Sequence, residues 1–82
     1  MITNKQLKQA LTKYADRDLR QARKEGAKSM VITETKSGNL DLSYATGVYT
    51  IKAFNGGGLL AQGAAKVVRD FLVANYTVVI ES

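Results

Sequence analysis

The residues best suited to binding chemistry in this 82-residue chain are cations that recur at helical spacing. They are Lys13, Arg17, Arg20 and Lys24. At about 100° per residue, these positions fall within a sector of about 60° on one side of a helix, and no acidic residue interrupts that sector. Arg23 and Lys28 lie close by, near the helix end, where positive charge also complements the helix dipole. Such a surface suits phosphate groups or an acidic partner protein.

A second interpretation of the same row of cations is structural. Charged stripes are often no more than the solvent-facing side of a helix. Asp16 precedes Arg20 by four residues, so the two are spaced to form an ion pair along the helix. The sequence leaves the binding role and the solvated-face interpretation open.

Several catalytic chemistries are excluded by composition. The chain has no Cys and no His, which removes the common zinc sites, thiol chemistry and Ser-His triads. The acids Glu34, Asp41, Asp70 and Glu81 are dispersed over separate predicted elements, whereas acid/base catalysis needs two carboxyl groups held together in a cleft. We therefore expect no enzyme activity, no metal site and no cofactor.

Length and charge define the class of protein. A chain of 82 residues has room for one domain, residues 1–82, and its 45% hydrophobic content is that of a chain that folds. The net charge of +5 favours anionic partners. Residues 1–9 lack the apolar run of a signal peptide or membrane span, so we expect a cytoplasmic protein with no membrane segment.

Periodicity predicts the elements that would position the cations. A capping box at Thr3 and Gln6, followed by apolar residues three and four apart, predicts a first helix over about 4–24 that stops near Gly26. Alternating residues predict strands from 28, over 40–44 and over 48–54, with turns at 37–39 and 45–47. An apolar, Ala-rich stretch predicts a second helix from about 60 to 75, and a final alternating stretch predicts a strand over 76–81.

These elements predict an α+β fold in the order α-β-β-β-α-β. One face of every predicted strand is apolar, so we expect a two-layer sandwich in which both helices cover one face of a four-stranded, mostly antiparallel sheet. A right-handed crossover through the second helix would set the last strand parallel to the third and beside the first, in the strand order 3-2-1-4.

Two further surfaces are candidate sites. Gly56, Gly57 and Gly58 precede the predicted second helix, so their backbone N–H groups could form an anion nest at its N-terminus. A tight turn explains the same glycines without a ligand. Phe54, Val31 and Val79 fall on the polar side of their strands and form a candidate apolar contact patch, either for a partner or for a homodimer. The same residues also fit edge positions tucked under loops, and this interpretation is the favoured one.

Two functional hypotheses fit these features. The first is a small protein-binding inhibitor or accessory factor, of the kind that short phage or mobile-element reading frames encode, acting on an acidic protein surface. The second is a nucleic-acid-binding module that contacts the phosphate backbone without regard to sequence. The first is favoured because the chain lacks the exposed aromatic residues and the glycine–lysine motifs of known nucleic-acid modules.

Overall fold

The computed structural model describes residues 3–26, 28–54 and 57–77, which form two helices and one four-stranded sheet. In chain order the elements are α1 (Asn4–Glu25), β1 (Met30–Ile32), β2 (Leu40–Ala45), β3 (Val48–Ala53), β4 (Leu59–Gly63) and α2 (Ala65–Asn75). Neighbouring strands pair in the order β1-β2-β3-β4, and all three pairings are antiparallel. The predicted α+β class, with two helices and a four-stranded sheet, is confirmed.

Helix α1 begins and ends where the sequence predicts. The Thr3 hydroxyl accepts a 3.1 Å hydrogen bond from the Gln6 backbone, and the Gln6 side chain accepts a 3.0 Å bond from the Thr3 backbone. This capping box satisfies two N–H groups that have no partner within the helix. At the other end, Gly26 adopts a φ of +66° and its N–H donates to the Ala22 carbonyl at 3.1 Å. Glycine adopts that φ without strain, so the helix stops there.

The first three strands form the predicted meander. The turn between β2 and β3 has positive φ at both central residues, +51° at Thr46 and +79° at Gly47, which matches the twist of a hairpin. The turn fixes the register, so that Leu42 lies opposite Ile51. Their side chains point to the same face of the sheet, which is the buried one.

The fourth strand lies where the sequence predicts the start of the second helix. β4 occupies 59–63 and pairs with β3, so α2 begins only at Ala65. Leucine and alanine favour a helix here, but pairing with β3 satisfies the backbone and half-buries Ala61. Gly63 has a φ of +149°, a conformation outside the helical region that separates β4 from α2. The end of the second helix at Asn75 is predicted correctly.

Because β4 precedes α2, the segment after α2 runs in the direction opposite to the predicted one. Tyr76 forms an antiparallel bridge with Thr35, just beyond β1, and the Thr77 N–H donates to the Glu34 carbonyl at 2.8 Å. The predicted parallel direction of the last segment is therefore wrong, whereas its predicted position beside the first strand agrees with the bridge between Thr35 and Tyr76. The predicted order 3-2-1-4 also lacks β4, which pairs on the other side of β3. Because β4 runs antiparallel to β3, the segment after α2 meets the β1 side of the sheet in the opposite direction. The remainder of the predicted last strand, 78–81, lies outside the described residues.

A single core joins both helices to one face of the sheet. The sheet contributes five buried side chains, Ile32, Leu40, Leu42, Tyr49 and Ile51. Helix α1 contributes Ala15, Leu19 and Ala22, and α2 contributes Val68 and Leu72. Burying apolar surface is the main favourable term in folding, and here each element supplies part of it. The core fixes which side of α1 faces inward.

Candidate partner-binding face

Helix α1 packs against the rest of the protein through a narrow apolar face. Ala15 and Ala22 are fully buried and Leu19 is nearly so, and these residues pack with α2 and the sheet. The two alanines lie seven residues, or about two turns, apart on the same side of the helix, and their small side chains permit close approach of the backbone. The opposite side of α1 is left to solvent.

All the cations predicted to form the binding face are exposed. We call this surface the basic face, defined by Lys13, Arg17, Arg20, Arg23, Lys24 and Lys28. From Lys13 to Lys24 it extends for about 16 Å along the helix axis, at a rise of about 1.5 Å per residue. The predicted helix and the exposure of its cations are thus observed, whereas their role in binding stays a prediction.

Asp16 does not pair with Arg20. Its carboxylate oxygen lies 3.3 Å from a guanidinium nitrogen of Arg69, which projects from α2. The predicted pair within α1 is therefore wrong, because an arginine across the helix interface is the partner. Among the described residues, no carboxylate lies within salt-bridge distance of Arg20. Arg20 is consequently available for an external anion.

Arg17 is held by its neighbours on the same helix. Its guanidinium carbon lies 4.1 Å from the centre of the Tyr14 ring, and one guanidinium nitrogen lies 3.8 Å from an Asp18 carboxylate oxygen. The Arg17 side chain nevertheless remains 63% exposed. A guanidinium is attracted to the face of an aromatic ring, so Tyr14 orients this cation while leaving it accessible.

Asp18 is a buried acid beneath the basic face, and the sequence analysis did not identify it. Its other carboxylate oxygen accepts a 2.7 Å hydrogen bond from the Tyr76 hydroxyl. Burial raises the pKa of Asp18 above its ordinary value of 3.8, while the bond from Tyr76 and the charge of Arg17 partly oppose that rise. Burial, together with the bond to Asp18, also raises the pKa of Tyr76 above 10.0. A signal was present, since Asp18 falls on the side of the helix that carries Ala15 and Ala22.

Two more lysines lie near the start of α1 and share a hollow with Lys13. An open hollow of about 540 Å³ is lined by Lys5, Lys8, Gln9, Thr12 and Lys13. At about 100° per residue, Lys5 lies about 60° from the sector of the central cations, and Lys8 lies about 120° from it, towards the side that packs on α2. Neither lysine was among the predicted site residues. Their spacing of three residues in a helix already indicated a shared surface.

The predicted anion nest at a helix N-terminus is not formed. Gly57 and Gly58 lead into β4, not into a helix, and Gly56 lies outside the described residues. The Gly58 carbonyl accepts a 3.1 Å hydrogen bond from the Ala53 N–H, which closes the loop between β3 and β4. A Cβ on Gly57 would lie 2.3 Å from the Ala53 Cβ. Close approach of the loop to Ala53, the last residue of β3, therefore explains Gly57.

The predicted apolar patch is only partly described. Val31 and Phe54 are exposed, 44% and 39% respectively, while Val79 lies outside the described residues. Val31 belongs to β1, and Phe54 follows the end of β3, two strands away. The exposed residues agree with the predicted polar side of the sheet, and contact with a partner stays a prediction.

No group of three Asp or Glu side chains that could hold a metal ion occurs in 3–26, 28–54 or 57–77. Within these ranges, neither helix has the length and apolarity needed to cross a membrane. Comparison of the chain with protein-family models, with curated proteins and with solved structures gave no match.

Proposed function

We propose that this protein binds an acidic surface of a partner protein through the basic face, as a small inhibitor or accessory factor. The observation that carries the proposal is the uncompensated charge of α1. Asp16, the acid best placed to neutralise Arg20, is engaged by Arg69 of the other helix. Arg20 therefore has no carboxylate within salt-bridge distance among the described residues, and Arg17 remains 63% exposed although Asp18 lies 3.8 Å away. The proposal assigns no reaction to the chain.

The spacing of the cations defines the partner that would fit. Successive residues of the central row are four, three and four positions apart, so their Cα atoms rise by about 6, 4.5 and 6 Å along the axis. An acidic helix with carboxylates three and four residues apart presents charge at the same intervals. A net charge of +5 would also speed encounter with such a partner at low salt. The proposed setting is the cytoplasm.

A protein partner is favoured over nucleic acid by the aromatic residues. Single-stranded nucleic acids are commonly bound by stacking bases on exposed aromatic rings. Tyr14, the ring nearest the row of cations, is half-buried and already lies beneath Arg17. Phe54 is exposed, but it follows β3 and does not belong to α1. The basic face thus offers charge without a stacking surface.

A phosphate backbone is the second candidate partner. The hollow lined by Lys5, Lys8 and Lys13 adds positive charge near the start of the same helix, which favours a polyanion. If the row engages about four phosphates, the logarithm of the binding constant should fall with the logarithm of salt concentration with a slope of about −3 to −4. A titration with mixed-sequence DNA and RNA measures that slope directly.

The test is a pull-down after nuclease digestion with a charge-matched pair of variants. Arg17→Glu with Arg20→Glu reverses two charges on the basic face and lowers the net charge from +5 to +1. Lys36→Glu with Lys52→Glu makes the same change at exposed residues outside α1. We expect the first variant to lose the partner and the second to retain it.

The identity of the retained partner and its point of contact complete the experiment. A photo-crosslinker at position 21, next to Arg20, should join α1 to a segment rich in Asp or Glu. A partner that both double variants retain would refute the basic face as the contact surface. Binding that disappears with nuclease and follows the expected salt slope would instead establish the phosphate-backbone function.

A further inference from the structure

We propose that Arg17 is the anchor of the basic face, and that Tyr14, Asp18 and Tyr76 are positioning residues that order it before a partner arrives. The inference rests on the proposed function and names the side chain on which that function chiefly depends. The anchor is suited to a carboxylate of an acidic protein.

Arg17 and three other side chains form a closed circuit of contacts. The guanidinium lies over the Tyr14 ring at 4.1 Å and beside the Asp18 carboxylate at 3.8 Å. Tyr76 donates to that carboxylate at 2.7 Å, and its ring meets the Tyr14 ring edge to face with centres 5.0 Å apart. Each member of the circuit therefore contacts two others. Movement of any one of them would disturb the orientation of Arg17.

The circuit has a rigid base and an accessible end. Asp18 and Tyr76 are buried and Tyr14 is half-buried, whereas most of the Arg17 side chain is exposed. Tyr76 follows α2, so the circuit links α1 to a distant part of the chain. A base fixed by the packing of two elements holds its outer group more firmly than a helix surface alone can.

Order before binding distinguishes Arg17 from the other cations. A long side chain loses rotamer freedom when a partner immobilises it, and that loss weakens binding. Arg17 has already lost much of that freedom, while Arg20 has no carboxylate partner among the described residues. A guanidinium also presents a planar set of donors that fits a carboxylate with two parallel hydrogen bonds.

Lysine substitutions test the anchor without changing the net charge. Fluorescein-labelled poly-L-glutamate at low salt is the carboxylate probe, and a mixed-sequence single-stranded DNA is the phosphate probe. Arg17→Lys should weaken poly-L-glutamate binding at least about fivefold, because it removes the planar donors of the anchor. Arg20→Lys is the matched control and should change it less than about twofold.

Two substitutions of Tyr14 test the positioning role. Tyr14→Leu removes the ring and should weaken binding about as much as Arg17→Lys does, whereas Tyr14→Phe keeps the ring and should bind as the wild type does. The Arg17 Nε–Hε resonance in the free protein gives a second readout. We expect the Nε–Hε bond of Arg17 to be more rigid than that of Arg20. It should lose this rigidity in Tyr14→Leu but not in Tyr14→Phe.

Each outcome bears on a different part of the proposal. Equal losses in Arg17→Lys and Arg20→Lys, or an Arg17 side chain as mobile as Arg20 in the free protein, would overturn the anchor and leave the proposed function standing. Failure of the wild type to bind either polymer would overturn both. The same variant pattern with DNA alone would support the anchor and overturn the acidic protein as its partner.

Discussion

The hydroxyl of Tyr76 donates a 2.7 Å hydrogen bond to the carboxylate of Asp18, 58 residues earlier in the chain. This bond joins helix α1 to the segment that follows α2, in a position where both side chains are buried. A buried carboxylate needs such a donor, because its desolvation is otherwise uncompensated. The pair therefore contributes to the fold and lies directly beneath the basic face.

Removal of the Tyr76 hydroxyl should destabilise the protein. Tyr76→Phe leaves the Asp18 carboxylate without its buried donor, and we expect the free energy of unfolding to fall by about 1–3 kcal/mol. Equilibrium unfolding in urea at neutral pH measures the change. Tyr44→Phe is the control, because the Tyr44 hydroxyl has no hydrogen-bond partner among the described residues. A similar loss in both variants would contradict the role of the Asp18 bond.

Asp18 should make stability depend on pH. Because its pKa is raised in the folded state, its contribution to stability is fully present below about pH 3.8 and is lost as the pH rises through the raised value. Asp18→Asn cannot ionise but keeps an oxygen that accepts from Tyr76. We expect the stability of the wild type relative to this variant to fall as the pH rises above about 3.8, as measured by urea unfolding.

The exposed Asp70 provides the control for that experiment. Asp70→Asn removes one negative charge from the surface of α2, so it reports the effect of net charge alone. If the wild type and Asp18→Asn differed by the same amount at every pH, the raised pKa of Asp18 would be contradicted.

Two adjacent glycines should differ sharply in their tolerance of alanine. A Cβ at Gly57 would lie 2.3 Å from the Ala53 Cβ, so Gly57→Ala must displace the loop between β3 and β4. We expect it to lower the free energy of unfolding by about 1–3 kcal/mol. A Cβ at Gly58 meets no atom within 4 Å, and Gly58→Ala should stay within about 0.5 kcal/mol of the wild type. Thermal and urea unfolding of the two variants measure this difference, and equal losses of stability would contradict the close contact at Gly57.

The ion pair between the helices should be measurable but weak. Asp16 and Arg69 lie 3.3 Å apart, with both side chains partly exposed. A double-mutant cycle with alanine should give a coupling of about 0.2–1 kcal/mol that falls with added salt. The cycle for Asp16 and Arg20 is the control and should give a coupling near zero. A larger coupling in the control would restore the predicted pair within α1.

Helix α1 could be predicted closely because its signals are local and agree with one another. The capping box, the apolar spacing and Gly26 each depend on residues within a few positions. The hairpin turn at Thr46 and Gly47 is local in the same way. Exposure of the basic face follows once the helix and its buried side are known.

Strand β4 could not be predicted because its signals are not local. Leu59, Leu60 and Ala61 favour a helix, and the apolar spacing into α2 continues that pattern. Pairing with β3 decides the structure, and no short window of sequence reports it. Gly63 was the one local indication against a helix here, since a glycine inside an apolar helical pattern disfavours the helix. The partner of Asp16 was missed for the same reason, because Arg69 is 53 residues away.

The alanines through which α1 packs on the core lie on the side of the helix opposite to its exposed cations. Substitutions at exposed positions away from special contacts typically alter stability by no more than about 0.5 kcal/mol. Substitutions at Lys13, Arg20 or Lys24 would therefore change the charge of the surface at little cost to folding, whereas larger side chains at the fully buried Ala15 or Ala22 would disrupt the packing of α1. The charge of this surface can therefore be altered independently of the core that holds the helix in place.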